Sequence, residues 1–403
     1  MKKLAVVTTS TAFPGEKGLN RMFYLAELLC KRGYAVDFIT SDFQHWTKSH
    51  RDPKAVEALE TPCRILLAHE PGYTKNVQIK RIFSHRTLAK NIKKLLQANT
   101  YDLVYCDIPD NYVAATAAKY AQKQGIPFVV DVEDLWPEAM KMAFHVPVIS
   151  DVLFSYFSRD AKKAYKRSSG VIGSSDTYRD TPLKYKVEIP LRATVYVGND
   201  LAAFDKGAAE NAEKIQKPAG EFWVTYAGTL GTSYDIPTLI RAVDLLKKQG
   251  HTGIRAMILG DGPLRGEFEA LAKELEGDVT FAGYLPHGEM AAYLVRSDAV
   301  INSVVKNAPQ SIVSKIGDYL AAKTPMINTC VDPEFWKKVE DDGFGLNVLP
   351  EDPQALADTI LKLKNDPKTC AAMSDVARRI AEEQFDRPKA FGRIVDMVDQ
   401  LLK

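Results

Sequence analysis

Long apolar runs are missing from this sequence of 403 residues. No stretch approaches about 18 uncharged apolar residues, so no membrane-spanning helix is expected. Cysteine is sparse. Cys30, Cys63, Cys106, Cys330 and Cys370 are odd in number and show no C-x-x-C spacing. That excludes a disulfide frame or zinc knuckle and fits reduced, mostly buried thiols in a cytosolic protein. No strand–G-x-G-x-x-G–helix with a following acid occurs, which disfavours a nicotinamide dehydrogenase. A D-x-D metal motif is also lacking; the nearest imitation, D-V-E at 131–133, is not read as metal-binding. The apolar run at 4–7 is too short for a signal-peptide core and reads as a first buried strand.

What is present is ordinary for a soluble globular chain: 46% hydrophobic and 26% charged residues. The length favours two domains. The net charge of +2 hides an asymmetry, since residues 1–200 carry 29 Lys+Arg against 21 Asp+Glu and the remainder 24 against 30. A basic first half suits an anionic surface or acceptor.

The rhythm is strand–loop–helix. In the first half, strands are expected at 4–8, 34–40, 101–106, 126–130 and 171–173, and helices at 19–31, 113–124 and 148–165, with 195–199 closing the domain. Residues 41–75 read as irregular, and 75–99 as a basic amphipathic segment. Its simple explanation is a solvated helix face; the sharper one is contact with anionic lipid head groups. Residues 204–220, polar and rich in Ala, Lys and Glu, are the expected linker. The rhythm restarts with strands at 222–226, 254–259, 279–282, 299–301 and 326–328 and helices at 236–248, 264–275, 289–296 and from 315 to before Pro325.

Three places invite chemistry. The loop holding Gly15 and Gly18, with Asn20 after it, follows the first strand, where open α/β sheets bind ligands; it also reads as a plain connection. Asp131, Glu133 and Asp134 follow another strand and could hold hydroxyls or act as a base, or could cap a helix starting near Pro137. The third is Q-S-I-V-S-K-I-G-D-Y-L-A-A-K-T-P at 310–325. Ser314 is a candidate N-cap, and Lys315 in the first helical turn is a candidate anion ligand. Asp318 lies on the same face. A buried helix with a solvated Lys/Asp pair is the alternative. Gly228 and Gly231 would let backbone N–H groups approach a diphosphate, and 281–285 could present its backbone to a flat base.

Together these features resemble the family 4 glycosyltransferases of GT-B fold, particularly capsule and exopolysaccharide members. The likeness rests on Y-A-G-T-L-G at 226–231, L-G-D-G-P at 259–263, F-A-G-Y-L-P at 281–286, S-K-I-G-D-Y-L-A-A-K-T-P at 314–325 and D-L-W-P-E at 134–138. It implies two Rossmann-like α/β domains facing across a cleft: 1–200 for the acceptor, 201–385 for the nucleotide-sugar, and a last helix near 386–403 packed back on the first. It implies a retaining, metal-independent, cofactor-free transfer from a nucleotide-sugar, most often a UDP-sugar, to a saccharide or lipid-linked acceptor. The setting implied is cell-surface polysaccharide synthesis, cytoplasmic or peripheral on the inner membrane face, without nucleic acid. The donor residues implied are Gly228, Thr229, Gly231, Asp261, Gly262, Tyr284, Leu285, Ser311, Ile312, Ser314, Lys315 and Asp318, the last on the ribose. The catalytic set is Lys315, Glu133, Asp134 and Gln310, and the acceptor set is Gly15, Gly18, Asn20, Asp131 and Glu133. Two positions depart from the family. Gln310 stands where an acid is usual, and Ser233-Tyr234-Asp235 stands where an Arg and a Lys clamp the diphosphate. Lys315 is the expected replacement charge, with Arg265 second. A sugar-nucleotide 2-epimerase or a degenerate binding protein is the rival reading.

Overall fold

The uncharged core of K-L-A-V-V forms the first strand, β1 (Lys3–Val7). Leu4, Ala5, Val6 and Val7 are wholly buried, as a strand covered on both faces requires. It pairs in parallel with β2 (Ala35–Ser41) on one side. The computed structural model describes all residues except 19, 77, 137–148 and 309–311, and only the backbone of 149–154.

A short hairpin, β3 (Phe43–Gln44) and β4 (Ser49–His50), follows. Then come β5 (Arg64–Ala68), β6 (Leu103–Ile108), β7 (Phe128–Val132), β8 (Gly170–Gly173) and β9 (Leu191–Thr194). The sheet runs β5-β2-β1-β6-β7-β8-β9, with every neighbouring pair parallel. Helices Arg21–Arg32, Ile79–Gln97, Asn111–Gln124 and Ile149–Tyr165 make the crossovers. Phe391–Lys403 also belongs to this first compact unit, whose main segment is Met1–Val195. It comes from the last helix, Arg387–Leu401. There Phe391 meets Tyr24 edge to face with ring centres 5.3 Å apart, and Asp399 accepts from Arg32 at 2.7 Å.

Tyr196–Ala390 is the second unit. Its strands are β10 (Phe222–Ala227), β11 (Ile254–Leu259), β12 (Asp278–Gly283), β13 (Ala299–Asn302), β14 (Met326–Asn328) and β15 (Gly345–Asn347). They order as β12-β11-β10-β13-β14-β15, again all parallel. Each sheet thus reverses direction beside its first strand. Such a switch point leaves a crevice at the strand C-termini where α/β folds bind ligands.

Two expectations need correction. Residues 41–75 are not irregular: R-I-L-L-A forms the edge strand β5, and Pro53–Glu57 is a helix capped by Asp52. Residues 204–220 are not a linker either. Leu201–Asn211 is a helix capped by Asp200, with Phe204 wholly buried. It packs so closely on the helix His287–Arg296 that a β-carbon at Gly207 would come within 2.6 Å of the Gly288 Cα.

Candidate functional site

In the second unit the switch point lies between β10 and β13. Three loops meet beside it, and glycine is what lets them meet. Gly228 N–H donates to the Leu259 carbonyl at 2.9 Å, and Gly260 N–H to the Gly283 carbonyl at 2.7 Å. Gly260 has φ +134°, and a β-carbon there would fall 1.9 Å from the Gly228 carbonyl oxygen. No other residue fits that crossing.

The helix Lys315–Ala321 docks on the same edge. Ile316, Tyr319 and Leu320 are its buried stripe. The Tyr319 hydroxyl accepts from Ala227 N–H at 2.8 Å and donates to the Ala227 carbonyl at 3.0 Å. That bond pair fixes Lys315 one turn earlier. Its ammonium lies 4.2 Å from the Tyr226 ring centre and 3.8 Å from that of Tyr234, and donates to the Tyr226 hydroxyl at 3.1 Å. No carboxylate among the described residues pairs with it. Burial pushes its pKa well below the ordinary lysine value. A β-carbon at Gly228 would stand 3.0 Å from the Lys315 nitrogen, so this cation sits against the glycine loop.

The other expected donor residues are placed as follows. Thr229 is exposed and Gly231 partly so. A β-carbon at Gly231 would meet only Thr229 Cγ2, at 3.7 Å, so packing within the chain does not demand glycine there. Asp261 is exposed and accepts from its neighbour Gly262 N–H at 2.8 Å. Tyr284 is largely exposed, Leu285 half-buried and Ile312 buried. Asp318 Oδ1 accepts from Asn199 Nδ2 at 2.9 Å and bonds His287 Nε2 at 3.0 Å. The His287 bond raises that imidazole's pKa. Gln310 and Ser311 lie outside the described residues. Ser314 does not act as an N-cap: it is exposed, in helical geometry, and makes no capping bond. The helix is only seven residues long, so the anion argument rests on the lysine rather than on a dipole. Arg265 is engaged by Glu269 at 2.8 Å, which leaves Lys315 the better free charge. The Ser233-Tyr234-Asp235 departure also has a structural sense. Tyr234 covers the ammonium, and Asp235 caps the helix Ile236–Lys248 through Thr238 N–H.

The first unit's switch point lies between β1 and β6. Thr8, just past β1, donates to Asp107 Oδ2 in β6 at 2.7 Å. Asp131, opposite in β7, is fully buried and takes Tyr105 at 2.7 Å and two nitrogens of Arg21 at 3.1 and 3.2 Å. The expectation that Asp131 meets an acceptor is therefore corrected. Its charge is neutralised inside the unit, and neither a sugar nor a cation can reach it. Glu133 differs. Its side chain keeps 18% exposure and lies 3.4 Å from Arg21 Nε, yet its Oε1 accepts no hydrogen bond among the described residues. Burial, with Asp131 and Asp134 adding to it against the pull of Arg21, raises its pKa to about 8. Asp107 is also pushed well above the carboxylate range, by burial and then by Glu133. Asp107 was missed because nothing in Y-C-D-I-P marks it as more than a strand end. Asp134 Oδ2 accepts from the Trp136 indole at 3.2 Å. Gly15 is open and exposed. A β-carbon at Gly18 would sit 2.3 Å from the Trp46 ring. Asn20 precedes the helix Arg21–Arg32 without a side-chain cap bond.

Asp42, His50 and His69 bring ligand-type atoms within 4.8 Å of one another. Asp42 and His69 are already bonded at 2.8 Å, and His50 Nε2 contacts the Glu70 carbonyl at 2.7 Å, so they satisfy each other.

Two parallel Rossmann-like sheets carried by two units define the GT-B glycosyltransferase fold. Residues 208–380 match the family model for glycosyl transferases group 1, which supports a glycosyltransferase. HepE of Anabaena, solved with UDP, is 17% identical with a TM-score of 0.70, over 99% of this chain and 100% of that one. Sucrose-phosphate synthase of Thermosynechococcus elongatus is 18% identical at 0.70, over 100% and 99%. A Rickettsia africae glycosyltransferase is 15% identical at 0.72, over 100% and 99%. Among curated proteins none matches the sequence. Among the described residues no helix is long and apolar enough to cross a membrane.

Proposed function

We propose that the chain is a retaining, metal-independent and cofactor-free glycosyltransferase of family 4 type that moves a hexose from a UDP-sugar to a saccharide or lipid-linked acceptor in cell-surface polysaccharide synthesis. The carrying observation is Lys315, a cation held between Tyr226 and Tyr234 with no acidic partner among the described residues, at the glycine loop of a switch point. A charge so placed gains most from an incoming anion. In this reading Lys315 and the N–H groups of the 228–231 loop stabilise the departing diphosphate, and Asp318 holds the ribose through its remaining oxygen. The acceptor hydroxyl attacks from the leaving-group side, and the departing phosphate takes its proton. Glu133 and Asp134 hold acceptor hydroxyls, with Gly15, Gly18 and Asn20 on the neighbouring loop. The complexes of HepE with UDP and UDP-glucose support uracil as the base. The tie-up of Asp131 supports a mechanism without a metal there. The stripe of Arg86, Lys90 and Lys93 on the helix Ile79–Gln97 supports cytoplasmic work at an anionic membrane face.

Thermal unfolding with UDP-, GDP-, ADP- and dTDP-sugars, with NAD and NADP alongside, tests the donor, because ligand binding to the folded state raises Tm. A rise with UDP-sugars that Lys315→Ala abolishes is expected. A rise with NAD alone would overturn the reading.

A further inference from the structure

A second group of cations, in the first unit, has no counter-ion among the described residues. Lys48 closes the β3–β4 hairpin in left-handed geometry, φ 58°. Arg81 opens the helix Ile79–Gln97. The two close on one ring from their own sides: Lys48 Nζ lies 4.9 Å and the Arg81 guanidinium 5.2 Å from the Tyr73 centre. Neither forms an ion pair among the described residues. Their bonds go to neutral groups: Lys48 to the His45 carbonyl at 2.5 Å and Asn76 Oδ1 at 2.6 Å, and Arg81 Nη1 to the Asn76 carbonyl at 2.9 Å. Glu70, the carboxylate whose charge acts on Lys48, is buried and already accepts from Ser41 at 2.6 Å and Ser84 at 2.8 Å. His85, behind it, is bonded to Asp110 at 2.6 Å.

Among the described residues, two buried donors at this spot have no acceptor, Arg81 Nε and Gln78 Nε2. Like charges side by side, with unmet donors among them, cost free energy in the empty protein. The cost shows on His45, whose pKa burial, Arg81 and Lys48 together hold down at about 3.

The cluster adjoins the acceptor elements on both sides. Gln44 Nε2 donates to the Lys17 carbonyl at 2.8 Å, and Trp46, beside it and partly exposed, covers Gly18. On the other side Arg81 lies 4.6 Å over the Trp136 ring, whose indole N–H bonds Asp134.

We propose that Arg81, Lys48 and Gln78 recognise an anionic substituent, phosphate or carboxylate, on the acceptor saccharide. This rests on the assignment of the first unit to the acceptor. An anion there would accept from Arg81 Nε and Gln78 Nε2 and separate the two cations. Trp46 would offer an apolar ring to the sugar face.

The test uses the full chain with saturating UDP, so that the donor anion site is filled. Calorimetry compares glucose, galactose and mannose, each as free sugar, 6-phosphate and uronic acid. We expect at least one anionic form to bind, its neutral parent to bind at least roughly tenfold more weakly, and Arg81→Gln and Lys48→Gln each to weaken the anionic form by a similar factor while UDP affinity stays. The phosphate and uronate arms distinguish the two sources of charge. Neutral sugars binding as well as anionic ones, no anionic sugar binding at millimolar concentration, or variants within twofold of wild type would each overturn the proposal. If the variants do not fold, the neutral-against-anionic comparison on wild type still decides. Failure of UDP itself to bind would count against the donor assignment, and the sugar series without UDP would then be read alone.

Discussion

The two switch points are built on one topology and charged in opposite ways. In the first unit, Asp131 and Glu133 crowd around Arg21, which bonds Asp131 and reaches Glu133 at 3.4 Å, and Asp107 feels the charge of both acids. Burial drives the Asp107 and Glu133 pKa values upward. In the second, one lysine sits between two tyrosines with no acid pairing it among the described residues, and burial drives its pKa downward. Asp131 is satisfied by its own unit, whereas among the described residues Glu133 Oε1 accepts no hydrogen bond and Lys315 has no carboxylate partner. Burial alone does not mark a site; burial without a partner does.

That contrast can be broken in several ways. The largest effect is expected from Gly260→Ala. Its β-carbon would collide with the Gly228 backbone, so the loss should be about 4 kcal/mol or more, seen as a collapsed thermal transition. A variant that unfolds like wild type would show that the loop crossing tolerates movement. Next, Arg21→Met would strand Asp131 as a buried charge, at a cost of about 3–5 kcal/mol by chemical denaturation. Lys315→Ala should leave the circular dichroism unchanged and lower turnover roughly 10²–10³-fold, the scale of one lost electrostatic contact to developing charge. Near-normal turnover would move the second switch point from chemistry to architecture.

The smallest effect belongs to Glu133→Gln and is read through pH. With its pKa raised from the usual 4.5 to about 8, the folded protein holds a proton that the unfolded chain releases between those values. Stability from this group is therefore full below about pH 4.5 and falls as pH rises to 8. The glutamine variant should match wild type near pH 5 and melt a few degrees higher at pH 8. Equal melting at both pH values would mean that Glu133 is already ionised and paired.

The βαβ rhythm was legible where apolar runs were long and uninterrupted. The helix Ile236–Lys248 and the strands Ile254–Leu259 and Met326–Asn328 fall where periodicity puts them. The edge strand Arg64–Ala68 was hidden because it is short and is preceded by Thr61-Pro62, which reads as a loop. The helix Leu201–Asn211 was hidden by composition. Ala, Lys and Glu look like a linker, yet they also favour helix, and Asp200 before L-A-A-F was the available capping signal.

At the sites, the sequence showed that Lys315 was in a helix but not that it met Tyr226 and Tyr234. Those residues come from a strand end and a loop more than 80 positions away. Asp131 and Glu133 looked alike in D-V-E-D. Both lie on the Arg21 side, as residues two apart in a strand do, and what separates them is the end of β7: Asp131 is inside the strand and wholly buried, whereas Glu133 stands just past Val132 and keeps some exposure. Arg81 looked like one charge in a basic run, because Lys48 and Trp136 are brought to it by the fold.

The last helix gives the chain a chronology. From Phe391 onward it supplies the ring over which the Arg21 guanidinium lies at 4.9 Å, the carboxylate that ties Arg32, and the Met397 side chain for which Gly170 leaves room. During synthesis these residues emerge after the whole of the second unit. Tyr196–Ala390, being one unbroken segment, can therefore finish folding first, whereas the unit built on Met1–Val195 is closed only once residues 391–403 have emerged.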